Sequence, residues 1–371
     1  MSGQRLRFPA QENRARLGEH RGTYRMTMER GAPRLTVLAL AGAVVLLAGC
    51  GSGSNGSQGS TPSTLVPGPS GSASPSPTAA VEATIDVGND PIGIASGEGS
   101  LWVVNAEIDA DRGSVSRIDP ETGDVVATIK VGAIPLEVAV GQGSVWVSNS
   151  GDDTVWRINP SSNEAVAGSD VCAAPEGLAV GGGSVWVVCE DDGVLARIDP
   201  GTDEMTEQIE VGLQPRFVTF AFDSVWVSNY FDGTITRIDP ETGKVGAEIV
   251  TAQGPQIMLE AEGSLWVSCT DADVVQRIDP STNEVIAEIA TPVAPDGLAF
   301  DGFILWVATE LGPELAGIDV IDDAILVSGT VADHGLINSN QVMAFESGSL
   351  WLPIVDDGVV LRVQLLTTTV E

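Results

Sequence analysis

Short apolar runs recur along the chain from residue 81 onward at a nearly constant interval. Each repeat has a tryptophan inside one of these runs, and a proline stands eleven residues before it in six repeats, with Asn340 in the seventh. The intervals between successive tryptophans are 44, 40, 40, 40, 40 and 45 residues, for Trp102, Trp146, Trp186, Trp226, Trp266, Trp306 and Trp351. A fixed period of this length indicates an architecture of similar, stacked units.

Each repeat is predicted to form four β-strands. In the first repeat the apolar runs place strands near residues 91–97, 100–105, 114–118 and 125–131, with no helical periodicity between them. The segment 119–123 (DPETG) after the third strand has the side-chain cap, the proline and the glycine of a tight turn. The last position of this turn holds residues that tolerate a positive φ, namely Gly123, Asn163, Asp203, Gly243, Asn283 and Asp323.

Four strands in 40 to 45 residues is the size of one blade of a β-propeller, and seven repeats predict an all-β, seven-bladed β-propeller with four antiparallel strands per blade. The segment 81–88 (VEATIDVG) matches the fourth strand of the first repeat (VVATIKVG, 125–132) but precedes every first strand. The last repeat ends soon after its third strand, at Val363. We therefore expect the N-terminal strand to complete the last blade, which argues against the alternative, an open repeat solenoid.

The N-terminal region has a different pattern. Residues 35–48 form a 14-residue apolar run after Arg30 and Arg34, which is short for a membrane span and typical of a signal peptide. The run ends in Leu-Ala-Gly-Cys50, which resembles the bacterial lipobox. We expect 1–49 to be a signal peptide with an N-terminal extension from a mis-assigned start, and Cys50 to carry a lipid. An ordinary cleaved signal is the alternative.

The next segment has the composition of a linker. Of residues 51–80, 23 of 30 are Gly, Ser, Thr or Pro, too few apolar residues to form a core. We assign 50–80 to a lipidated cysteine with a disordered tether and 81–371 to the propeller. This organisation predicts an extracytoplasmic protein that is anchored to the bacterial cell membrane by its N-terminal lipid.

The charge restricts the possible partners. The 371 residues include 51 acidic and 18 basic side chains, a formal net charge of −33. Because residues 1–49 carry eight Arg and three Glu, the remainder of the chain has a charge of −38. Nucleic acids and anionic lipid headgroups are therefore unsuitable partners, and we expect a monomer that prefers a cationic protein or small-molecule ligand.

The repeat carries a resemblance to a known family. The unit P-x-x-x-A-x-G-x-G-S-[VL]-W-V-x-N, followed by R-I-D-P-x-T-G-x-V and I-x-V-G, resembles the YVTN-type repeats of bacterial surface proteins and the virginiamycin B lyase-like propellers, over about 81–365. The resemblance implies the propeller fold. It does not select an activity, because propellers host enzymes, binding modules and scaffolds.

In a propeller blade the first strand is innermost, so the residue after each proline is expected at the mouth of the central channel. Two carboxylates, two amides and one arginine converging there could form a ligand pocket. The predicted ring consists of Ile92, Leu136, Glu176, Arg216, Gln256, Asp296 and Gln341. The alternative is the solvated lip of a water-filled channel.

Two further sites are expected outside the ring. Glu107, Asp109 and Asp111 lie in an acidic loop and could bind Ca²⁺, although solvated hairpin turns have the same composition. Cys172 and Cys189 lie near the ends of adjacent segments of the third repeat and could form a disulfide in an oxidising compartment, which would leave Cys269 free.

The resemblance also raises an enzyme hypothesis. Virginiamycin B lyases open a cyclic depsipeptide by elimination, and that family implies Mg²⁺ with His and Glu in the central cavity. After Cys50 this chain has one histidine, His334, outside any repeated channel position, so the catalytic set does not carry over. We therefore expect a ligand- or protein-binding or scaffold module. A Mg²⁺-dependent carbon–oxygen lyase is the alternative.

Overall fold

The structure, a computed structural model, describes residues 77–367 apart from 109, 169, 311–313 and 332–342. The predictions for the signal peptide, Cys50, most of the tether, Asp109, His334 and Gln341 lie outside the described residues. No helix in the described part of the chain is long and apolar enough to cross a membrane.

The described chain forms seven antiparallel four-stranded sheets, which confirms the seven-bladed propeller. The N-terminal strand is β1 (Pro77–Asp86), and the first three blades are β2 (Pro91–Gly97), β3 (Ser100–Asn105), β4 (Ser114–Ile118) and β5 (Val125–Lys130); β6 (Pro135–Gly141), β7 (Ser144–Asn149), β8 (Thr154–Asn159) and β9 (Glu164–Val166); and β10 (Pro175–Gly181), β11 (Ser184–Cys189), β12 (Val194–Asp199) and β13 (Glu204–Glu210).

The other blades follow the same order, with a short 3₁₀ turn at Thr270–Ala272 between the second and third strands of the fifth. These blades are β14 (Pro215–Ala221), β15 (Ser224–Asn229), β16 (Thr234–Ile238) and β17 (Val245–Val250); β18 (Pro255–Ala261), β19 (Ser264–Cys269), β20 (Val274–Asp279) and β21 (Glu284–Ala290); β22 (Pro295–Phe300), β23 (Ile304–Thr309), β24 (Glu314–Asp319) and β25 (Ala324–Thr330); and β26 (Ala344–Glu346), β27 (Ser349–Ile354) and β28 (Val359–Thr367).

The N-terminal strand closes the ring, as the sequence predicts. The last sheet has the order β1-β28-β27-β26, and β1 pairs antiparallel with β28 from Pro77 opposite Thr367 to Asp86 opposite Val359. The strand begins four residues before the predicted boundary at residue 81, and it therefore includes the last residues of the segment assigned to the tether. The two ends of the propeller are held together by backbone hydrogen bonds.

The tryptophans of the second strands form the core of the blades. All seven are at most 1% exposed. In six blades the indole Nε1 donates a hydrogen bond to the carbonyl oxygen five residues earlier, at the end of the first strand. In the sixth blade Trp306 donates instead to Oδ2 of Asp301, at 2.8 Å. Each buried indole is thus packed in the core, and its N–H group has a hydrogen-bond acceptor. This bond stabilises the turn between the first two strands.

In six blades an arginine of the third strand stacks on the tryptophan, and in five of them it also donates a hydrogen bond to the next blade. Six guanidinium groups lie 4.5 to 5.8 Å from the ring centre of the tryptophan in their own blade. Arg237, for example, donates two hydrogen bonds through Nη1. One goes to the carbonyl oxygen of Pro280 at 2.5 Å, and the other goes to Oδ1 of Asn283 at 2.8 Å. Asn283 has φ 60°, so the left-handed residue of the turn also serves as the acceptor for the preceding blade.

The third blade contains the disulfide pair. Cys172 and Cys189 are bonded, with their Cα atoms 5.9 Å apart. Cys189 lies at the end of β11, and Cys172 lies in the connection that leads into β10. Cys269 is buried as a free thiol, and burial together with Glu288 raises its pKa to about 12. A neutral thiol at this depth is expected to be inert.

Arg237→Ala should destabilise the protein more than Arg197→Ala does. Arg197 stacks on its tryptophan, but the turn of the following blade presents Gly243 in place of an Asn or Asp acceptor, and within the described residues Arg197 has no hydrogen bond to that blade. Removing Arg237 loses two bonds between blades, which is expected to cost about 2 kcal/mol more in the free energy of unfolding. Urea denaturation of both variants measures the difference, and equal losses would contradict the role assigned to the turn.

Candidate functional site

The first strands of neighbouring blades pack against one another around the central axis. Each first strand begins at the face where the second strand of its blade ends, as Pro175 opposite Cys189 shows. The residue after each proline therefore lies at this face, at the mouth of the channel. Four of the predicted ring residues border one cavity, namely Leu136, Glu176, Arg216 and Gln256. Ile92 and Asp296 are buried in the ring outside this cavity.

The cavity below the mouth lies between the first strands of the second to fifth blades, and its volume is about 10 Å³. It is therefore too small for an organic ligand and has room for about one water molecule. Gly177 explains the close approach of β10 and β14, since a Cβ at this position would lie 2.6 Å from the carbonyl oxygen of Arg216. A ligand larger than water cannot enter this cavity and would have to bind above it, at the mouth.

Arg216 is the only basic residue of the described ring, and acidic groups surround it. Its Nη1 lies 3.8 Å from Oε1 of Glu176, and its Nη2 lies 3.4 Å from Oε1 of Glu190. The guanidinium also lies 5.3 Å from the ring centre of Tyr230. Burial alone would lower the pKa of Arg216, but Glu176, Glu190, Tyr230 and Asp296 raise it. Arg216 is therefore held as a cation at the centre of the mouth.

Glu176 is buried, with 9% of its side chain exposed. Its Oε2 atom is covered by other side chains and has no hydrogen-bond partner among the described residues. Burial raises the pKa of Glu176 well above its usual value, Arg216 lowers it, and the nearby Glu190 and Asp191 raise it further. A donor that enters the mouth and displaces the covering side chains would satisfy this carboxyl group.

Further acidic groups extend the site across the neighbouring blades. The hydroxyl of Tyr230 donates to Oδ1 of Asp271 at 2.9 Å, and burial followed by this bond raises the pKa of Tyr230. Burial and the charge of Asp271 also raise the pKa of Glu310, against the effect of Arg216. We call this group the acidic mouth and define it as Glu176, Glu190, Arg216, Tyr230, Asp271, Asp296 and Glu310.

Glu137, which was not among the predicted site residues, lies in the wall of the channel. It is 6% exposed, and its Oε1 accepts a hydrogen bond of 2.9 Å from the backbone N–H of Val138. Burial raises its pKa to about 8. The carboxyl fits beside Gly93, where a Cβ would lie 2.9 Å from Oε1. Its position in the repeat could have indicated it. Glu137 stands two residues after the repeat proline, where the other repeats have glycine or an apolar residue.

The predicted calcium loop is engaged in local contacts. Glu107 accepts a hydrogen bond from Oγ of Ser114 at 2.6 Å, and its Oε2 lies 2.8 Å from Nζ of Lys130. Burial acts to raise the pKa of Glu107, but these two partners lower it. Asp111 is exposed. The calcium site stays a prediction, which these contacts do not support.

The Mg²⁺ that the lyase-like resemblance implies does not fit the described residues. Mg²⁺ requires several oxygen ligands in near-octahedral geometry. Among the residues that the structure describes, no group of three or more His, Cys, Asp or Glu side chains is arranged to hold a metal ion. We therefore derive no metal-dependent step at the channel.

Fold and site together define a seven-bladed β-propeller with an acidic mouth above a small cavity. No protein-family profile matches the chain, and no curated protein matches it. Among solved structures, a streptogramin B lyase shares the fold with a TM-score of 0.65 and 17% identity, over 78% of this chain and 98% of that chain. The hydrazine synthase of Kuenenia stuttgartiensis matches with a TM-score of 0.62 and 15% identity, over 76% and 96%. At this identity the likeness shows the fold alone.

Replacing Glu137 should change how stability depends on pH. Between pH 4.5 and pH 8 the native state keeps a proton on Glu137 that the unfolded chain has released. The native state therefore binds more protons, and this group lowers the free energy of unfolding by up to about 1.4 kcal/mol for each pH unit of increase. Glu137→Gln should equal the wild type near pH 5 and be more stable than it at pH 8.

Urea denaturation of both proteins at pH 5, 6, 7 and 8 measures this difference. Glu241→Gln is the matched control, because Glu241 is exposed in a turn on the opposite face. Parallel pH profiles for Glu137→Gln and the wild type would show that Glu137 is ionised in the native state.

Proposed function

We propose that the protein is a binding module whose acidic mouth takes the cationic group of an organic ligand or protein, an amine or a guanidinium. The observation that carries this proposal is Glu176, a buried carboxyl at the mouth whose Oε2 has no hydrogen-bond partner in the described part of the chain. An amine or guanidinium donates N–H groups to carboxylate oxygens, which is the missing interaction.

The charge of the site favours the same class of ligand. The acidic mouth has five carboxyl groups and one cation, Arg216. An ammonium or guanidinium group can bind one or two carboxylates, whereas a metal ion needs a converging set of oxygens. Because the pKa of Glu176 is raised, a bound cation should release a proton from it, and binding should tighten as the pH rises.

Binding of simple cations should depend on Glu190 as well. We expect N-acetyl-lysine methylamide and agmatine to bind the full-length protein and the neutral N-acetyl-norleucine methylamide not to bind. Glu190→Gln should weaken the affinity for both cations about tenfold, since it removes one charge-assisted partner, whereas Glu241→Gln on the opposite face should not.

Isothermal titration calorimetry at pH 6 and pH 8 measures these affinities. Binding that is equal for the neutral analogue, or equally weakened by both substitutions, would contradict a cation site at the mouth. It would leave only a nonspecific effect of the acidic surface.

We also propose that the protein is exported and anchored by a lipid on Cys50. In the last blade β27 ends at the mouth face and β28 begins there, so β28 and its partner β1 place Pro77 at the opposite face. A tether that enters at Pro77 would hold the acidic mouth away from the membrane surface, where a ligand can reach it.

Cys50→Ser should release the protein from the membrane fraction of a bacterial host. Mass spectrometry of the N-terminal peptide should show a diacylglycerol-modified Cys50 in the wild type. An unmodified N-terminus at another residue would support an ordinary cleaved signal and remove the basis for the proposed orientation.

The alternative function is a lyase of the streptogramin type. Two observations favour it, the fold shared with a streptogramin B lyase and the position of Glu137 in the channel wall with a pKa near the range useful for proton transfer. The small cavity opposes it, because a cyclic depsipeptide cannot reach Glu137. Liquid chromatography with tandem mass spectrometry of a streptogramin B depsipeptide incubated with the protein and Mg²⁺ separates the two functions. A lyase gives a linear product with the mass of the substrate, because elimination breaks the ester C–O bond and forms a C=C bond, whereas hydrolysis of the ester adds one water.

A further inference from the structure

We infer that the ligand of the acidic mouth is a polypeptide segment in which a lysine or arginine stands next to an aromatic or aliphatic residue. This inference rests on the proposed function, because it requires that the mouth bind the basic side chain. It adds a second contact surface, which is apolar and lies beside the mouth on the fourth blade.

Two large apolar side chains are exposed at this position. Leu213 precedes β14 and is 58% exposed, and Phe231 follows β15 and is 68% exposed. The backbone N–H of Phe231 donates to the carbonyl oxygen of Leu213 at 3.3 Å, so the two residues are neighbours. We call this pair the apolar shelf.

The apolar shelf does not belong to the packed core. Neither Leu213 nor Phe231 takes part in the apolar clusters between the blades. The repeat does not require an apolar residue there either. The position five residues after the repeat tryptophan holds Glu107, Gly151, Asp191, Asp271 and Asp356 in five of the other blades and Leu311 in the sixth. Phe231 is the one aromatic residue at this position, and neither turn chemistry nor packing in the core explains it.

The apolar shelf is fixed next to the acidic mouth by short contacts. Oδ2 of Asp232 accepts the backbone N–H of Leu213 at 2.6 Å. The N–H of Tyr230 donates to the carbonyl oxygen of Gln214 at 3.0 Å, and the side chain of Gln214 donates to Oε1 of Glu190 at 3.0 Å. Tyr230 and Glu190 are both partners of Arg216. The same two loops thus present the apolar pair and the acidic groups.

The arrangement selects among possible occupants by charge and by chemistry. Phe231 lies at the blade position that Asp191 and Asp271 occupy on either side, so an apolar group that covers it meets carboxylates at its edges. A simple cation leaves the apolar shelf exposed, and a second copy of this acidic chain brings like charges together. A peptide with adjacent basic and apolar side chains matches both surfaces, since it pairs the charge and removes apolar area from water.

The experiment compares three blocked dipeptide amides on the full-length protein by isothermal titration calorimetry. N-acetyl-Arg-Phe amide should bind about tenfold more tightly than N-acetyl-Arg-Gly amide, and N-acetyl-citrulline-Phe amide should bind more weakly than either. Phe231→Ser should reduce the affinity for Arg-Phe to that for Arg-Gly and leave Arg-Gly binding unchanged. Leu213→Ser should act in the same direction.

Phe303→Ser is the matched control, because Phe303 is 82% exposed in a turn on the opposite face of the sixth blade. It should change neither affinity. Thermal unfolding checks that all variants keep the wild-type fold, as expected for exposed side chains.

The outcomes separate this inference from the proposed function. Equal binding of Arg-Phe and Arg-Gly to the wild type would overturn the inference and leave the cation site intact, whereas no binding of either basic peptide would overturn both. Citrulline-Phe binding as tight as Arg-Phe binding would show an apolar site without a charge contact. Sedimentation velocity adds one more outcome, since a wild-type dimer that Phe231→Ser dissociates would show that a second copy covers the apolar shelf.

Discussion

The stacking of an arginine on the buried tryptophan of its own blade is the contact on which the ring depends. It orients the guanidinium toward the next blade, where a backbone carbonyl oxygen and the left-handed Asn or Asp of the turn accept hydrogen bonds from it. Arg277, for example, donates to the carbonyl oxygen of Val320 and to Oδ1 of Asp323. The turn has this backbone geometry because Asn, Asp and Gly tolerate a positive φ. One repeated set of residues therefore fixes the strand register, the turn and the angle between blades.

The sixth blade lacks this contact and is joined to the seventh blade by other interactions. Gly317 stands at the arginine position of the sixth blade, and the third and fourth strands of the seventh blade, β28 and β1, are not joined by a turn that could accept a guanidinium. A continuous apolar cluster that includes Trp306, Leu315, Leu350 and Leu352 joins these two blades instead. The pairing of β1 with β28 then completes the seventh blade with backbone hydrogen bonds. Apolar burial and the pairing of β1 with β28 together replace the polar link between these blades. This agrees with the general finding that burial of apolar surface is the dominant favourable contribution to the free energy of folding.

The fold could be predicted from the sequence because the same marker residues recur in seven repeats. The spacing of the tryptophans and the positions of the turn residues indicate the same four strands in each repeat. The mouth was predictable only in part. The proline register predicts Glu176 and Arg216 on the face where the first strands begin, and in the structure both border one small cavity there. The register could not show that Gly177 lets neighbouring first strands approach closely. Tyr230 and Glu310 were not predicted, although both stand four residues after the repeat tryptophan, where the same backbone hydrogen bond recurs in six blades. The spacing alone did not show that side chains at this position approach Arg216.

The repeat also separates the residues that hold the fold from those free to serve a function. A position that packs between blades changes little from copy to copy, as Trp186 and Arg197 illustrate, because each substitution must fit the same neighbours. The mouth positions face neighbouring loops of differing sequence and solvent, so they vary. Arg216 and Phe231 are departures of this kind, and both lie on the fourth blade at the mouth face. Seven identical blades would present seven equivalent surfaces around the ring. A single binding site therefore requires departures from the repeat that lie close together, as Arg216 and Phe231 do.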